Sequence, residues 1–144
     1  MSRVTQKVVC YVIRAEKLLV FTHDELPLTV TGVQVPAGSV KRGETLEAAV
    51  RRELTEETGL HAAGVRFLGS QEYDLRPMRD ERAVRHYFRV EVDEYPAEER
   101  WSGAERDPSS GGGPVTWTCW WLPLHDAHVL AGGFGALIGR ALSD

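Results

Sequence analysis

The chain has 144 residues, of which 42% are hydrophobic and 26% are charged, a balance typical of a globular protein with one hydrophobic core. Its net charge of -4 argues against a nucleic-acid polymer as the ligand, but it is compatible with a small phosphorylated ligand. No stretch is long and apolar enough to span a bilayer, and residues 1–7 lack the apolar core of a signal peptide. We therefore predict a single cytoplasmic domain over residues 1–144 that does not bind membranes.

The first predicted elements are strands. Val4–Ile13 and Leu18–Thr22 are rich in Val, Ile and Leu, and the intervening Ala15–Lys17 is expected to form the turn of a hairpin. A loop follows, and Val33–Val35 predicts a short strand that Pro36 ends.

The clearest predicted helix is Thr45–Thr58, which contains many Ala, Leu, Glu and Arg residues and no Gly or Pro. Gly59 follows at the position where a helix commonly ends with a left-handed residue. At 100° per residue, Leu46, Ala49 and Val50 fall on one face. This face is expected to pack on a sheet.

The second half of the chain adds strands and a long loop. Val65–Tyr73 and Ala83–Val92 predict two strands joined by an arginine-rich turn. Ser102–Pro114 contains three consecutive glycines and predicts a mobile loop. Thr116–Leu122 predicts a strand, and Phe134–Leu142 predicts a closing helix. Strands on both sides of one strong helix, with a second helix at the end, indicate a mixed sheet between helices.

The apolar face of the central helix continues into carboxylates. The stripe predicts apolar residues at positions 53 and 57, where the sequence has Glu53 and Glu57, with Glu56 beside them. These three charges share an arc of about 100° and repel each other, and Arg52 offsets only one of them. Clustered carboxylate oxygens suit Mg²⁺, or Mn²⁺ as a substitute, better than zinc. The alternative interpretation is a solvated, glutamate-rich helix face.

The segment from Gly38 to Leu60 resembles the Nudix box. That pattern is Gly, five residues, Glu, seven residues, then Arg-Glu-apolar-x-Glu-Glu-x-Gly-apolar, and every specified position is met. The resemblance implies an α/β/α sandwich with a mixed central sheet and a loop–helix–loop catalytic box. It also implies a pyrophosphohydrolase that cleaves the diphosphate linkage of a nucleotide, a nucleotide sugar or a dinucleoside polyphosphate. Dimers are common in this family, although nothing in the sequence indicates a homodimer.

The resemblance further implies a set of metal ligands and an orienting ion pair. The ligands would be the backbone carbonyl of Gly38 and the carboxylates of Glu53, Glu56 and Glu57. Arg52 would pair with a box carboxylate, for which Glu44 is the first candidate, and so orient the ligands. Glu44, Arg52, Glu53 and Glu57 are therefore the expected catalytic set. In some members of the family the residue that matches Glu53 also helps to activate water, and other members take the base from elsewhere.

Candidates for binding the rest of the substrate lie outside the box. Arg76 and Arg79, in the arginine-rich turn, suit phosphate oxygens, and Arg85 follows them. Trp101 lies beside the predicted loop and is the first candidate to contact the ligand. The family commonly adds an acidic ligand from outside the box. Their positions in predicted loops make Glu98, Glu99 and Glu105 the candidates for this ligand. The alternative for each is a solvated surface residue with no ligand role.

Two other functional classes compete with the hydrolase interpretation. A non-catalytic module that senses nucleotides shares the fold, but such modules often lose box glutamates and this chain has them all. A prenyl diphosphate isomerase would need an acid–base cysteine and glutamate. Cys10 and Cys119 lie in apolar, strand-like segments and are predicted to be buried free thiols. His86, inside a predicted strand, is expected to be structural.

Overall fold

Two four-stranded sheets dominate the computed structural model, which describes residues 3–24, 32–105 and 115–142. The first sheet contains β1 (Arg3–Tyr11), β4 (Ala37–Ser39), β5 (Ala62–Asp74) and β6 (Glu81–Val92), in the order β4-β1-β6-β5. The second contains β2 (Ile13–Arg14), β3 (Lys17–His23), β7 (Trp101–Glu105) and β8 (Val115–Pro123), in the order β2-β3-β8-β7.

The first sheet is mixed, as predicted. Strand β1 runs parallel to β6 and antiparallel to β4, and β5 runs antiparallel to β6. The second sheet is antiparallel throughout. The helical elements are α1 (Leu46–Thr58), two 3-10 segments (Leu124–Val129 and Ala131–Gly133) and α2 (Ile138–Ala141). None of the described helices is long and apolar enough to cross a membrane.

The core lies on both faces of the first sheet because side chains alternate along β1. Val8 and Cys10 point to a cluster that includes Leu54 of α1. Val9 and Tyr11 point to the opposite cluster, which includes residues of the C-terminal helical segment. Helical layers therefore cover both sides of the sheet, and the predicted α/β/α arrangement with a mixed central sheet is confirmed.

The strand before the helix differs from the prediction. Val33 and Gln34 form isolated bridges with Leu130 and Phe21 rather than a strand, and the strand is instead Ala37–Ser39. Three small residues have weak strand propensity. Their pairing with β1 determines the structure here, since Lys7, Val8 and Val9 lie opposite Ser39, Gly38 and Ala37.

Two later predictions also need correction. The first part of the predicted loop is strand β7, which pairs with β8 from Trp101↔Cys119 to Glu105↔Val115. Residues 106–114 of that loop lie outside the described residues. The closing helix is only the single turn Ile138–Ala141, because Gly135 and Gly139 lower helix propensity across the predicted segment.

Candidate active site

Helix α1 carries the carboxylates, and its two ends are fixed by capping. Thr45 is the N-cap, and its Oγ1 accepts a hydrogen bond from the backbone N–H of Ala48 at 3.1 Å. Gly59 ends the helix at φ 79°, as expected for a left-handed C-cap, and its N–H donates to the carbonyl of Thr55 at 2.9 Å. The rotation of the helix, and hence the direction of each glutamate, is set by the burial of Ala49, Val50 and Leu54.

The three carboxylates differ in exposure. The Glu53 side chain is 13% exposed, whereas that of Glu56 is 48% exposed. Burial raises the pKa of Glu53 above its usual range, the Arg52 guanidinium opposes this shift, and the charge of Glu56 adds to it. A desolvated carboxylate beside a second carboxylate gains stability from a nearby cation.

Arg52 forms the ion pair with Glu44 that the box resemblance implies. Its Nε and Nη2 donate to the two oxygens of Glu44 at 2.8 and 2.9 Å, a bidentate pair. Its Nη1 donates to Glu53 Oε1 at 2.8 Å and to Glu56 Oε2 at 3.3 Å. Hydrogen bonds from the Arg52 guanidinium lower the pKa of Glu44 to about 2. One guanidinium thus joins the helix to the loop before it and aligns two of the three carboxylates.

Strand β4 lies against the other side of the carboxylates. The backbone N–H of Ala37 donates to Glu57 Oε1 at 2.9 Å. A Cβ built on Gly38 would lie 2.2 Å from Cδ of Glu53, so only glycine leaves room for that carboxylate beside the strand. The carbonyl of Ser39 accepts from Arg52 Nη2 at 2.9 Å. Arg52, Glu53 and Glu57 are therefore brought together at one strand.

The chemistry of this cluster fits a divalent cation. Within the described ranges, no three His, Cys, Asp or Glu side chains are already gathered around one point. The donor atoms that are present are carboxylate and carbonyl oxygens, which hard cations such as Mg²⁺ prefer. Arg52 brings a single positive charge to Glu44, Glu53 and Glu56. The remaining negative charge of the carboxylates favours the binding of a further cation at this cluster.

A cavity of about 480 Å³ opens on the face of the first sheet opposite α1, and Gly38 forms part of its wall. Lys7, Arg79 and Arg85 also line it, and the lining contains no acidic side chain among the described residues. The Lys7 Nζ donates to Ser39 Oγ at 2.7 Å, which ties the cavity floor to β4. Sequence reasoning missed Lys7, because no motif surrounds it and only the β1–β4 pairing brings it here.

The two arginines predicted to bind substrate differ in position. Arg79 lines the cavity, with its Nη1 3.7 Å from Glu81. Arg76 is not among the residues lining it, and its guanidinium pairs with Asp74 at 2.6 Å. Hydrogen bonds from Arg76 hold the pKa of the Asp74 carboxyl well below its usual range. The charge of Arg76 is thus already compensated.

Trp101 has a structural partner. Its Nε1 donates to the carbonyl of Thr58 at 2.8 Å, and its ring lies 6.2 Å from that of Trp121 beside the main core cluster. Of the acidic candidates outside the box, Glu98 and Glu99 are exposed and line a surface cavity that contains no box residue. The side chain of Glu105 lies outside the described residues.

His86 and the cysteines have structural surroundings, as the sequence predicted. His86 has Nδ1 at 2.6 Å from Ser70 Oγ and Nε2 at 2.7 Å from Gln6 Oε1, and burial lowers its pKa. Cys10 and Cys119 are free thiols with no exposed surface, and burial raises both pKa values, that of Cys119 to about 12. Neither thiol is exposed to a substrate, which argues against the isomerase alternative.

Comparisons with known proteins agree with the box. A NAD-capped RNA hydrolase NudC from Vibrio parahaemolyticus is 54% identical over 37 residues, which cover 26% of this chain and 14% of that protein. An RNA pyrophosphohydrolase from Brucella ovis is 30% identical over 119 residues, which cover 78% of this chain and 66% of that protein. The chain thus spans less than two thirds of the length of these curated relatives. Both relatives are named for RNA, which conflicts in part with the expectation of no nucleic-acid polymer.

The fold has solved counterparts. The crystal structure of a MutT NUDIX hydrolase from Burkholderia pseudomallei superposes with a TM-score of 0.67 at 18% identity, covering 96% of both chains. At that identity the likeness shows the fold alone. The family model described as the NUDIX domain matches residues 4–136, nearly the whole of this chain. With its complete box and its mixed-sheet fold, this chain belongs to the Nudix family.

Proposed function

We propose that this protein is a divalent-metal-dependent pyrophosphohydrolase that cleaves the diphosphate linkage of a nucleoside diphosphate derivative. The observation that carries the proposal is the position of β4 between two sites of opposite charge. On one side, Glu53 and Glu57 contact Gly38 and Ala37. On the other side is the cavity lined by cationic side chains. Such a strand suits a substrate whose phosphates are held by a cation and whose remainder occupies the cavity.

In this proposal the carboxylates of Glu53, Glu56 and Glu57, with the carbonyl of Gly38, hold Mg²⁺ or Mn²⁺. When bound, such a cation neutralises the diphosphate and lowers the pKa of bound water. Arg52 and the N–H of Ala37 fix the carboxylate oxygens before the substrate arrives, so the site needs less reorganisation during the reaction. Glu53, whose pKa is raised by burial, is the first candidate to accept a proton from the attacking water.

The substrate class is drawn from the cavity and the relatives. Lys7 and Arg79 supply positive charge for phosphate oxygens. A nucleotide, a nucleotide sugar or a dinucleoside polyphosphate meets this requirement. The 5′ end of an RNA also carries phosphoanhydrides, and the relatives named for RNA make such an end part of the proposed class.

The test is a hydrolysis panel in Mg²⁺, in Mn²⁺ and in EDTA. It contains nucleoside triphosphates, nucleotide sugars, dinucleoside polyphosphates, NAD and a 5′-triphosphorylated RNA, with products followed by chromatography. We expect metal-dependent cleavage of at least one member and at least a ~100-fold loss in Glu57→Gln, since both metal binding and orientation depend on that carboxylate.

Glu47→Gln is the matched control. Glu47 lies on the same helix but is 60% exposed and pairs only with Arg51 among the described residues. The variant should retain wild-type activity. Nucleotide binding without cleavage of any panel member would contradict the enzyme proposal and favour a nucleotide-sensing module.

A further inference from the structure

Arg85 is a buried cation on the floor of the cavity. It lies on β6, is 8% exposed, and lines the cavity together with Lys7. Its Cζ is 4.0 Å from the centroid of the Tyr73 ring and 4.3 Å from that of Phe134. Its Nη1 donates to the carbonyl of Gly132. Two rings and one carbonyl thus hold the guanidinium in a fixed position at the cavity.

The charge of Arg85 has no counter-ion among the described residues. Arg52, Arg82 and Arg89 each have a carboxylate oxygen within 4.0 Å, whereas Arg85, like Arg66 and Arg140, donates to a backbone carbonyl. A buried cation without an anionic partner is costly, and the aromatic faces offset only part of that cost. The nearby Lys7 adds further positive charge, whereas the charge of Arg79 is shared with Glu81. The cavity is therefore electrostatically incomplete until an anion enters it.

The anion that completes the cavity is separate from the diphosphate at the carboxylates. Ser39 of β4 lies opposite Lys7 of β1, and Lys7 lies opposite Arg85 of β6. Two strand spacings therefore separate the backbones of Ser39 and Arg85, about 10 Å. Neighbouring phosphates of one diphosphate lie much closer together than this. A diphosphate held at the carboxylate cluster consequently leaves Arg85 uncompensated.

We propose that Arg85 binds a second anionic group of the substrate, a phosphate ester carried beyond the diphosphate that is cleaved. Arginine suits this role because its planar guanidinium pairs with two phosphate oxygens at once. The proposal rests on the proposed function and narrows its substrate class to nucleotides with a further phosphate. That phosphate comes either from a monoester on the ribose or from the next phosphodiester of an RNA strand.

The test measures binding by calorimetry without divalent cations, so that it does not depend on hydrolysis. The probes are AMP, adenosine 2′,5′-bisphosphate, adenosine 3′,5′-bisphosphate and the dinucleotide pApA. We expect at least one of the three probes with a second phosphate group to bind the wild-type protein at least ~10-fold more tightly than AMP, as a charge-assisted contact implies. Preference for a bisphosphate identifies a monoester as the source, and preference for pApA alone identifies a phosphodiester.

Variants separate a binding role from a packing role. Arg85→Met should reduce the preference over AMP to less than ~2-fold, since no charge remains. Arg85→Lys retains the charge without the planar fork and should retain an intermediate preference, which provides a readout if the methionine variant does not fold. Arg89→Met is the control. Arg89 is on the same strand but pairs with Glu91 and the carbonyl of Ala141, so its loss should leave the preference unchanged.

Three results would overturn the proposal: equal affinity of the wild-type protein for all four probes, no binding of any probe with a second phosphate group, or a preference that persists in Arg85→Met. Absence of hydrolysis across the substrate panel would instead reject the proposed function. The affinity of each probe relative to AMP does not depend on hydrolysis, so it would still test the role of Arg85.

Discussion

Replacing Gly38 by alanine should disable the carboxylate cluster and leave the fold in place. The added Cβ would lie 2.2 Å from both Cδ and Oε1 of Glu53. Gly38 is in a strand and is not among the glycines with positive φ, so the substitution adds no backbone strain. The whole effect therefore falls on the position of one carboxylate.

The required displacement sets the size of the effect. Ordinary van der Waals contact begins at 3.4 Å, so the carboxylate of Glu53 must retreat by about 1.2 Å (3.4 − 2.2). It cannot do so without disturbing the 2.8 Å hydrogen bond to Arg52. A misplacement of about 1 Å costs about 100-fold in rate, and we expect kcat/KM to fall by that factor. Because a flexible side chain yields, the free energy of unfolding should fall by less than about 2 kcal/mol.

Two measurements test this reasoning. Steady-state hydrolysis of the best panel substrate gives kcat/KM, and calorimetry with Mn²⁺ gives metal affinity, which should fall at least ~10-fold. Gly43→Ala is the control, because Gly43 has φ 79° and no atom within 4 Å of an added Cβ. It should cost about 1 kcal/mol of stability through backbone strain and leave both activity and metal affinity unchanged. Wild-type activity and metal affinity in Gly38→Ala would refute the argument.

The remaining predictions concern side chains around the cluster. Glu44→Gln replaces a bidentate carboxylate with an amide that accepts through one oxygen, so kcat/KM should fall about 10–100-fold, and an unchanged value would contradict an orienting role for Arg52. Burial lowers the folded-state pKa of His86, so the unfolded chain binds the proton more readily. The free energy of unfolding should therefore decrease as the pH falls below about 6.5. Denaturant unfolding at pH 7 and pH 5 should show a smaller decrease in His86→Gln than in the wild-type protein. An equal decrease in both proteins would contradict this prediction. Trp101→Phe removes the hydrogen bond to Thr58 and should lower stability by about 1 kcal/mol, with Tm about 3 °C lower and kcat/KM unchanged. A selective rise in KM would instead support the ligand contact predicted from the sequence.

The carboxylate cluster could be predicted because its spacing is local. Residues three and four apart on a helix share a face, so the direction of Glu53, Glu56 and Glu57 follows from their positions alone. The N-cap at Thr45 and the C-cap at Gly59 likewise depend on neighbouring residues. The helix therefore has the predicted bounds to within one residue.

The cavity could not be predicted, because it depends on long-range pairing. Lys7, Gly38 and Arg85 lie far apart in the sequence and meet only through the register of β4, β1 and β6. No local pattern fixes that register. For the same reason β7 was missed, since glycine and serine beside Trp101 predict a loop and only the pairing with β8 makes the segment a strand.

The contacts that β4 makes explain why a sequence with weak strand propensity occupies the centre of the site. The N–H of Ala37 reaches Glu57, Gly38 leaves room for Glu53, and Ser39 contacts both Arg52 and Lys7. The contact with Glu53 requires glycine at position 38, because a Cβ there would lie 2.2 Å from the carboxylate. The register with β1 compensates for the weak propensity, since a slip would turn every β4 side chain to the other face and break the contacts with the carboxylates and the cavity together. A substitution that improves strand propensity at Gly38 is therefore the one that should separate stability from activity.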